Sequence, residues 1–178
     1  MGFAPPITRY IAVDLGDRRT GLAVGDDHTN VASPWKTIEV PIGHEGGEKL
    51  INAIGKEIAR EYGSSPRLEL VVGLPLHLDG RESDRSKKAR AFADRLGTRL
   101  GRTVHLADER LTSKQADWAM GGSGLTNLQK KRRRDSIAAA ALLQAFLQDL
   151  AAGKANDDQD GKNDPAHPNK DGVGEEGD

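Results

Sequence analysis

"RYIAVDLGDRRTGLAVGDD", residues 9–27, decides the fold. Residues 9–16 and 21–27 are short apolar runs rich in β-branched residues, separated by a turn around "DRRT". Such runs at so short an interval read as the two strands of a hairpin. Gly16 and Gly21 also have the separation of a phosphate-binding loop. That loop requires Lys followed by Ser or Thr where Leu22 and Ala23 stand, and it requires a helix where a strand follows, so it is rejected.

Outward from the hairpin, "VASPWKTIEV" (31–40) reads as a third strand, with Pro34 suited only to a sheet edge. Residues 45–62 repeat Leu50, Ile51, Ile54 and Ile58 at helical spacing. "LELVVGLP" (68–75) is a near-continuous apolar run, as expected of a strand covered on both faces. Residues 83–101 form a basic amphipathic helix with Ala89, Phe92, Ala93 and Leu96 on one side. "RTVHLA" (102–107) predicts another strand, and "TSKQADWAM" (112–120) a short helix capped by Thr112 or Ser113. A glycine-rich stretch, "GGSGLTN", precedes the apolar helix "RDSIAAAALLQAFLQDL" (134–150). The order β β β α β α β α α predicts an α/β domain. Its five-stranded mixed sheet joins an antiparallel meander to parallel βαβ crossovers, with strands 1, 4 and 5 parallel.

The chain of 178 residues is the size of one domain. Residues 1–8 read as an N-terminal extension, 9–150 as the folded body, and 151–178 as a disordered acidic tail. That tail has one Val as its only large aliphatic side chain, too little to offset the entropy of ordering. It holds eight acids and three lysines, so of 26 basic and 27 acidic residues the body keeps 23 and 19. A mildly basic body of net +4 is compatible with a polyanionic partner. With no cysteine there is neither a disulfide-linked partner nor Cys-ligated zinc, and a reducing cytoplasm fits. No apolar run approaches the roughly 20 residues that span a bilayer. No secretory signal is visible at the start, so the expected location is cytoplasmic with no membrane partner.

Three carboxylates stand out by position. Asp14 lies near the end of the first strand, Glu109 at the end of the fifth, and Asp135 at the start of the last helix. Ligands gather at the carboxyl ends of parallel strands in open sheets. Oxygen donors without His or Cys suit Mg²⁺ or Mn²⁺, and two such ions can serve a phosphodiester displacement. Each acid also has a plain structural alternative. Asp14 could be a turn residue before Gly16. Glu109 could be a solvated loop acid paired with Arg110, and Asp135 a helix cap. Asp108 points away from Glu109 by strand alternation and is read as structural. The run "KKRRR", Lys130, Lys131, Arg132, Arg133 and Arg134, is either solvated surface or a phosphate contact. Cations at a helix N-terminus oppose its dipole, which favours the second.

"YIAVDLGDRRTGLAVGDD", "VVGLPLHLDGRESDRSKKARAFADRL", "LADERLTSKQA" and "RDSIAAAALLQAFL" resemble, in order and spacing, the bacterial Holliday-junction-resolvase-like family. That family is also described as the pre-16S ribosomal RNA nuclease, and the resemblance runs over about residues 9–150. It implies a ribonuclease H-like fold and a metal-dependent nuclease. Carried over by motif, the family's metal-binding acids fall on Asp14, Glu109 and Asp135, and its arginines on Arg19 and Arg110 as phosphate contacts. Residues 73–80 fall on its substrate loop, with His77 where Asn and Leu78 where Met is usual. The resemblance thus implies an endonuclease using Mg²⁺ or Mn²⁺ on structured RNA, chiefly the precursor of 16S rRNA, free or on the pre-ribosome. Branched DNA, cleaved as by a Holliday junction resolvase, is the alternative substrate. A non-catalytic RNA-binding or assembly factor is the alternative of another class. An actin-like ATPase would share the hairpin but needs a second lobe.

Overall fold

Hydrophobic alternation splits β1 (Arg9–Leu15) between two cores. Ile11 and Val13 face one side of the sheet, and Tyr10 and Ala12 the other. In the computed structural model, which describes residues 6–43, 46–112 and 127–160, this strand is central. β2 (Thr20–Asp26) pairs antiparallel with it, and β3 (Ala32–Ile38) antiparallel with β2. β4 (Leu68–Leu74) and β5 (Val104–Asp108) extend the other side in parallel. The five-stranded order is β3-β2-β1-β4-β5. The mixed sheet expected from the strand sequence is therefore present, with β1, β4 and β5 parallel. β3 is an edge strand and tolerates Pro34, and its register against β2 shifts between Leu22 and Ala23.

One face is covered by α1 (Glu48–Tyr62) and α2 (Asp84–Leu100). Leu50, Ile54 and Ile58 of α1 and Phe92 and Leu96 of α2 pack on Ile11, Val13, Leu22, Leu70 and Val72. Each fully buried side chain of this size contributes on the order of 1.5–3 kcal/mol. α2 starts at a capping box between Ser83 and Ser86. The Ser86 hydroxyl also donates to the Pro75 carbonyl, tying the helix start to the end of β4.

The other face is covered by α3 (Asn127–Asp160). Its Ala139, Ala140, Leu142, Leu143 and Leu147 pack on Tyr10, Ala12, Ala23, Val71 and Ala107. Small alanines let the helix lie close to the sheet. A Cβ on Gly25 would meet Leu147 Cδ1 at 2.9 Å.

α3 corrects two expectations. It begins at Asn127, so Asp135 stands in its third turn rather than at its start, and the cap reading of Asp135 falls. Lys130 to Arg134 likewise lie inside the helix rather than before it. The helix also continues past Leu150 to Asp160, so the backbone of the first ten residues assigned to the tail is helical. Residues 161–178 lie outside the described residues, as does 113–120 of the expected short helix; Glu109–Thr112 is a 3-10 turn. By length and composition alone, Arg133–Gly153 could cross a membrane, contrary to the reading of the apolar runs. Half of its most apolar window is buried, which accounts for the apolar content as core packing.

Candidate active site

Alternation along β1 places Asp14 on the α3 face, two residues beyond Ala12, at the carboxyl end of the strand. Its neighbours on both sides are glycines. Gly21 of β2 is its antiparallel partner. On the other side Val13 pairs with Val72, one residue before Gly73 of β4. Each glycine clears a path for another acid. A Cβ on Gly21 would lie 1.9 Å from the Asp135 carbonyl oxygen and 2.9 Å from the Ser136 nitrogen. The backbone of α3 therefore rests directly on Gly21, which brings Asp135 to Asp14. A Cβ on Gly73 would lie 2.7 Å from Glu109 Oε1, so the Glu109 carboxylate folds back over β4 toward Asp14. The three acids read from the sequence thus meet at one edge, with Asp14 in the middle.

The electrostatics follow from that crowding. Burial, and then the charge of Asp135, push the Asp14 carboxyl up to about 6. Glu109 is also raised, first by burial and then by Asp14. Arg85, in the first turn of α2, opposes both effects. Its guanidinium donates to the Leu15 carbonyl at 3.3 Å.

Arg19 sits beside Asp135, with Nε 3.1 Å from Oδ2. The distance is that of an ion pair, yet Oδ2 is buried and accepts no hydrogen bond, so the N–H is not aimed at it. A buried carboxylate oxygen without a hydrogen bond is costly unless something else satisfies it. That orphaned oxygen and the carboxylates on either side of Asp14 fit hard divalent cations. Among the described residues, no group of three acids is close enough to hold a single ion. The fit is to pairs sharing Asp14, namely Asp14 with Asp135 and Asp14 with Glu109.

The arginine following Glu109 is engaged elsewhere. Arg110 grips both oxygens of Asp108, with Nη2 to Oδ2 at 2.6 Å, and donates to the carbonyls of His77 and Leu78. This pairing holds the Asp108 carboxyl below its ordinary range. Asp108, read as structural, is so: it anchors the clamp on the 76–82 loop. That loop is closed by the His77 N–H to Arg81 carbonyl bond at 3.0 Å, and it presents Leu78 95% exposed.

Of the basic run, Arg133 and Arg134 are exposed. Arg133 lines a cleft of about 660 Å³ with Arg19, Lys36, Thr37 and Ser136, beside Asp135. The backbone at Lys130, Lys131 and Arg132 is helical, and their side chains lie outside the described residues. Sequence reading missed Arg85, treating it as one cation of an amphipathic helix. The available signal was its place in a helix first turn, the same position that singled out the other run.

Known proteins are similar to this chain over most of its length. A protein of Anaeromyxobacter sp. (strain K) named "Putative pre-16S rRNA nuclease" is 40% identical over 139 residues, covering 78% of this chain and 96% of that protein. One of the same name from Thiobacillus denitrificans is 38% identical, over 77% of this chain and 89% of the relative. Among solved structures, T. thermophilus RuvC in complex with a Holliday junction substrate aligns with a TM-score of 0.47 and 14% identity, over 82% of this chain and 96% of that one. The family profile RuvX, described as Holliday junction resolvase, matches residues 8–149, four-fifths of the sequence, and the chain therefore belongs to the RuvX family of nucleases.

Proposed function

We propose that this nuclease is a divalent-metal-dependent endonuclease acting on structured RNA, and that its substrate is the 5′ end of the precursor of 16S rRNA. The observation that carries the reading is Asp14, a half-buried carboxyl raised to about 6 between two other carboxylates at the sheet edge. Such a cluster is unfavourable for the empty protein and is relieved by cations, which is the arrangement expected of a metal site. Asp14 would hold both ions, with Asp135 on one side and Glu109 on the other. When bound, Mg²⁺ or Mn²⁺ supplies activation of the attacking water and charge stabilisation of the leaving oxygen. The chain's own residues orient the substrate. Arg19 and Arg133 face the cleft beside Asp135, where backbone phosphates would enter. Arg134, exposed on the same helix, adds to that basic surface, and Lys130, Lys131 and Arg132 are proposed as further phosphate contacts. Arg110, held by Asp108, acts by fixing the loop that carries Leu78 rather than by contacting phosphate first. The RNA substrate is favoured by the names of the curated relatives.

Four-way DNA is the second reading, favoured by the family's description as a Holliday junction resolvase. One experiment separates them: purified protein with labelled precursor rRNA or with a four-way DNA junction, each in Mg²⁺, Mn²⁺ or EDTA. Metal-dependent cleavage of the RNA alone supports the proposal. Cleavage of the junction alone replaces the substrate, and tight binding without cleavage of either would make the chain a binding factor.

A further inference from the structure

We infer that α2 provides a second phosphate track, in which Arg85, Lys88 and Arg95 hold the nucleic-acid strand on the side of the acids opposite α3. The inference rests on the nuclease reading and extends it from the site to the path of the substrate.

Charge pairing separates these three cations from their neighbours. Arg81 is paired with Asp79 at 2.6 Å, Lys87 with Asp84 at 3.7 Å, and Arg90 with Glu82. Arg85, Lys88 and Arg95 are exposed and make no ion pair among the described residues. All three line one groove of about 350 Å³, which reaches Glu109 at one end. Its floor includes Phe92 and Ala89, and among the described residues its acids are Glu109, a candidate ligand, and Asp17.

The spacing suits a polyanion. Positions 85, 88, 92 and 95 recur on one side of a helix. From Arg85 to Arg95 the helix rises about 15 Å, which spans more than one phosphate. Arg95 is held at the far wall: a Cβ on Gly46 would lie 1.8 Å from its Nη1, so the guanidinium lies across that glycine. Arg85 stands in the first turn, where a cation opposes the helix dipole, and it is held beside the acids by its bond to the Leu15 carbonyl and the pull of Asp14 and Glu109. From that place it can make a direct ion pair with a phosphate arriving next to the acids.

Topology gives the track its direction. α2 covers one face of the sheet and α3 the other, and the acids stand at the edge between them. A strand held by Arg133 on α3 and by Arg85 on α2 must cross that edge, which lays a phosphate over Asp14.

The test measures binding without cleavage, in EDTA, of a fluorescein-labelled RNA hairpin with a single-stranded 5′ extension, across salt concentrations. Full-length wild type is compared with Arg85→Gln/Lys88→Gln/Arg95→Gln, with Arg132→Gln/Arg133→Gln/Arg134→Gln, and with the control Lys87→Gln/Arg90→Gln. Each phosphate that is no longer neutralised should flatten the slope of log affinity against log salt by about 0.7. The α2 triple variant should therefore flatten it by about two units, and the control by much less than one. Melting curves check folding, and Lys88→Gln/Arg95→Gln alone should flatten the slope by more than one unit if the triple variant is unstable. An α2 slope equal to that of the control overturns the track while leaving the nuclease reading intact. Wild type that shows no salt-dependent binding to this RNA or to a DNA junction overturns both.

Discussion

Asp14→Asn is expected to stabilise the metal-free protein at neutral pH while abolishing cleavage. Asp14 is raised from 3.8 to about 6 in the folded chain. At 1.36 kcal/mol per unit, that shift of about two units corresponds to about 3 kcal/mol. The sign follows from proton counting. Between these two values the folded protein binds more protons at Asp14 than the unfolded chain does, so stability falls as pH rises through that window. Below it the carboxyl is neutral in both states and the penalty vanishes; above it the full penalty remains. Asn removes the charge at nearly constant size, so its gain should grow from pH 4 to pH 6 and then level off. For a domain of this size about 3 kcal/mol corresponds to a rise of up to roughly 6–12 °C. An amide lacking partners gives back about 1–3 kcal/mol, so a net rise of a few degrees is expected. The assay is thermal unfolding of both proteins in EDTA from pH 4 to pH 8, repeated with Mg²⁺. Added Mg²⁺ should raise the melting temperature of wild type and much less that of the variant. A variant that melts below wild type at pH 8, or whose difference is constant with pH, would refute the reasoning.

Other outcomes follow from the same geometry. Glu109→Gln and Asp135→Asn should each abolish cleavage without lowering the melting temperature, because Asp135 lies in the third turn of α3 and caps nothing; a loss of several degrees with turnover retained would contradict this. Gly21→Ala should destabilise by about 3 kcal/mol or more, at the top of the usual overpacking range, since its Cβ meets backbone at 1.9 Å; denaturant melts decide it. Gly73→Ala meets the mobile end of Glu109 at 2.7 Å, so it should reduce turnover far more than stability; kcat and melting temperature together test that split. Asp108→Asn should retain the site and cleave, with faster proteolysis of the 76–82 loop that Arg110 clamps.

The strands were legible because each carries its own signal. Apolar alternation in 9–27 and the continuous run 68–74 specify β1, β2 and β4 with no help from elsewhere. Leu50, Ile54 and Ile58 are likewise buried as their spacing predicts. The start of α3 was not legible, because residues 127–134 are polar or charged apart from Leu128 and carry no apolar period from which a boundary could be read. Positions of the acids could be placed at one edge by topology alone. Their mutual approach could not, since it depends on Gly21 and Gly73 admitting a helix backbone and a side chain. Arg110 shows the limit of local reading: its adjacency to Glu109 suggested a partner there, while alternation gives it Asp108 and the loop carbonyls. Arg85 was hidden because its relation to Asp14 spans 71 positions and arises only when α2 is capped at the end of β4.

The packing of α3 has a consequence for the order in which the chain matures. The core beneath α1 and α2 contains no residue of α3, so it can form from the first hundred or so residues. Until α3 docks, the opposite face leaves Tyr10, Ala12, Ala23, Val71 and Ala107 uncovered, and Asp14 lacks one of its two acidic neighbours. One docking event therefore shelters the apolar face and completes the acid cluster together. During synthesis that event waits for residue 147 and beyond to emerge, so a partly made chain carries aggregation-prone surface but no finished site. The acid cluster is complete only once α3 has docked, and a fault that loosens this helix parts Asp135 from Asp14 at the same moment that it exposes the sheet.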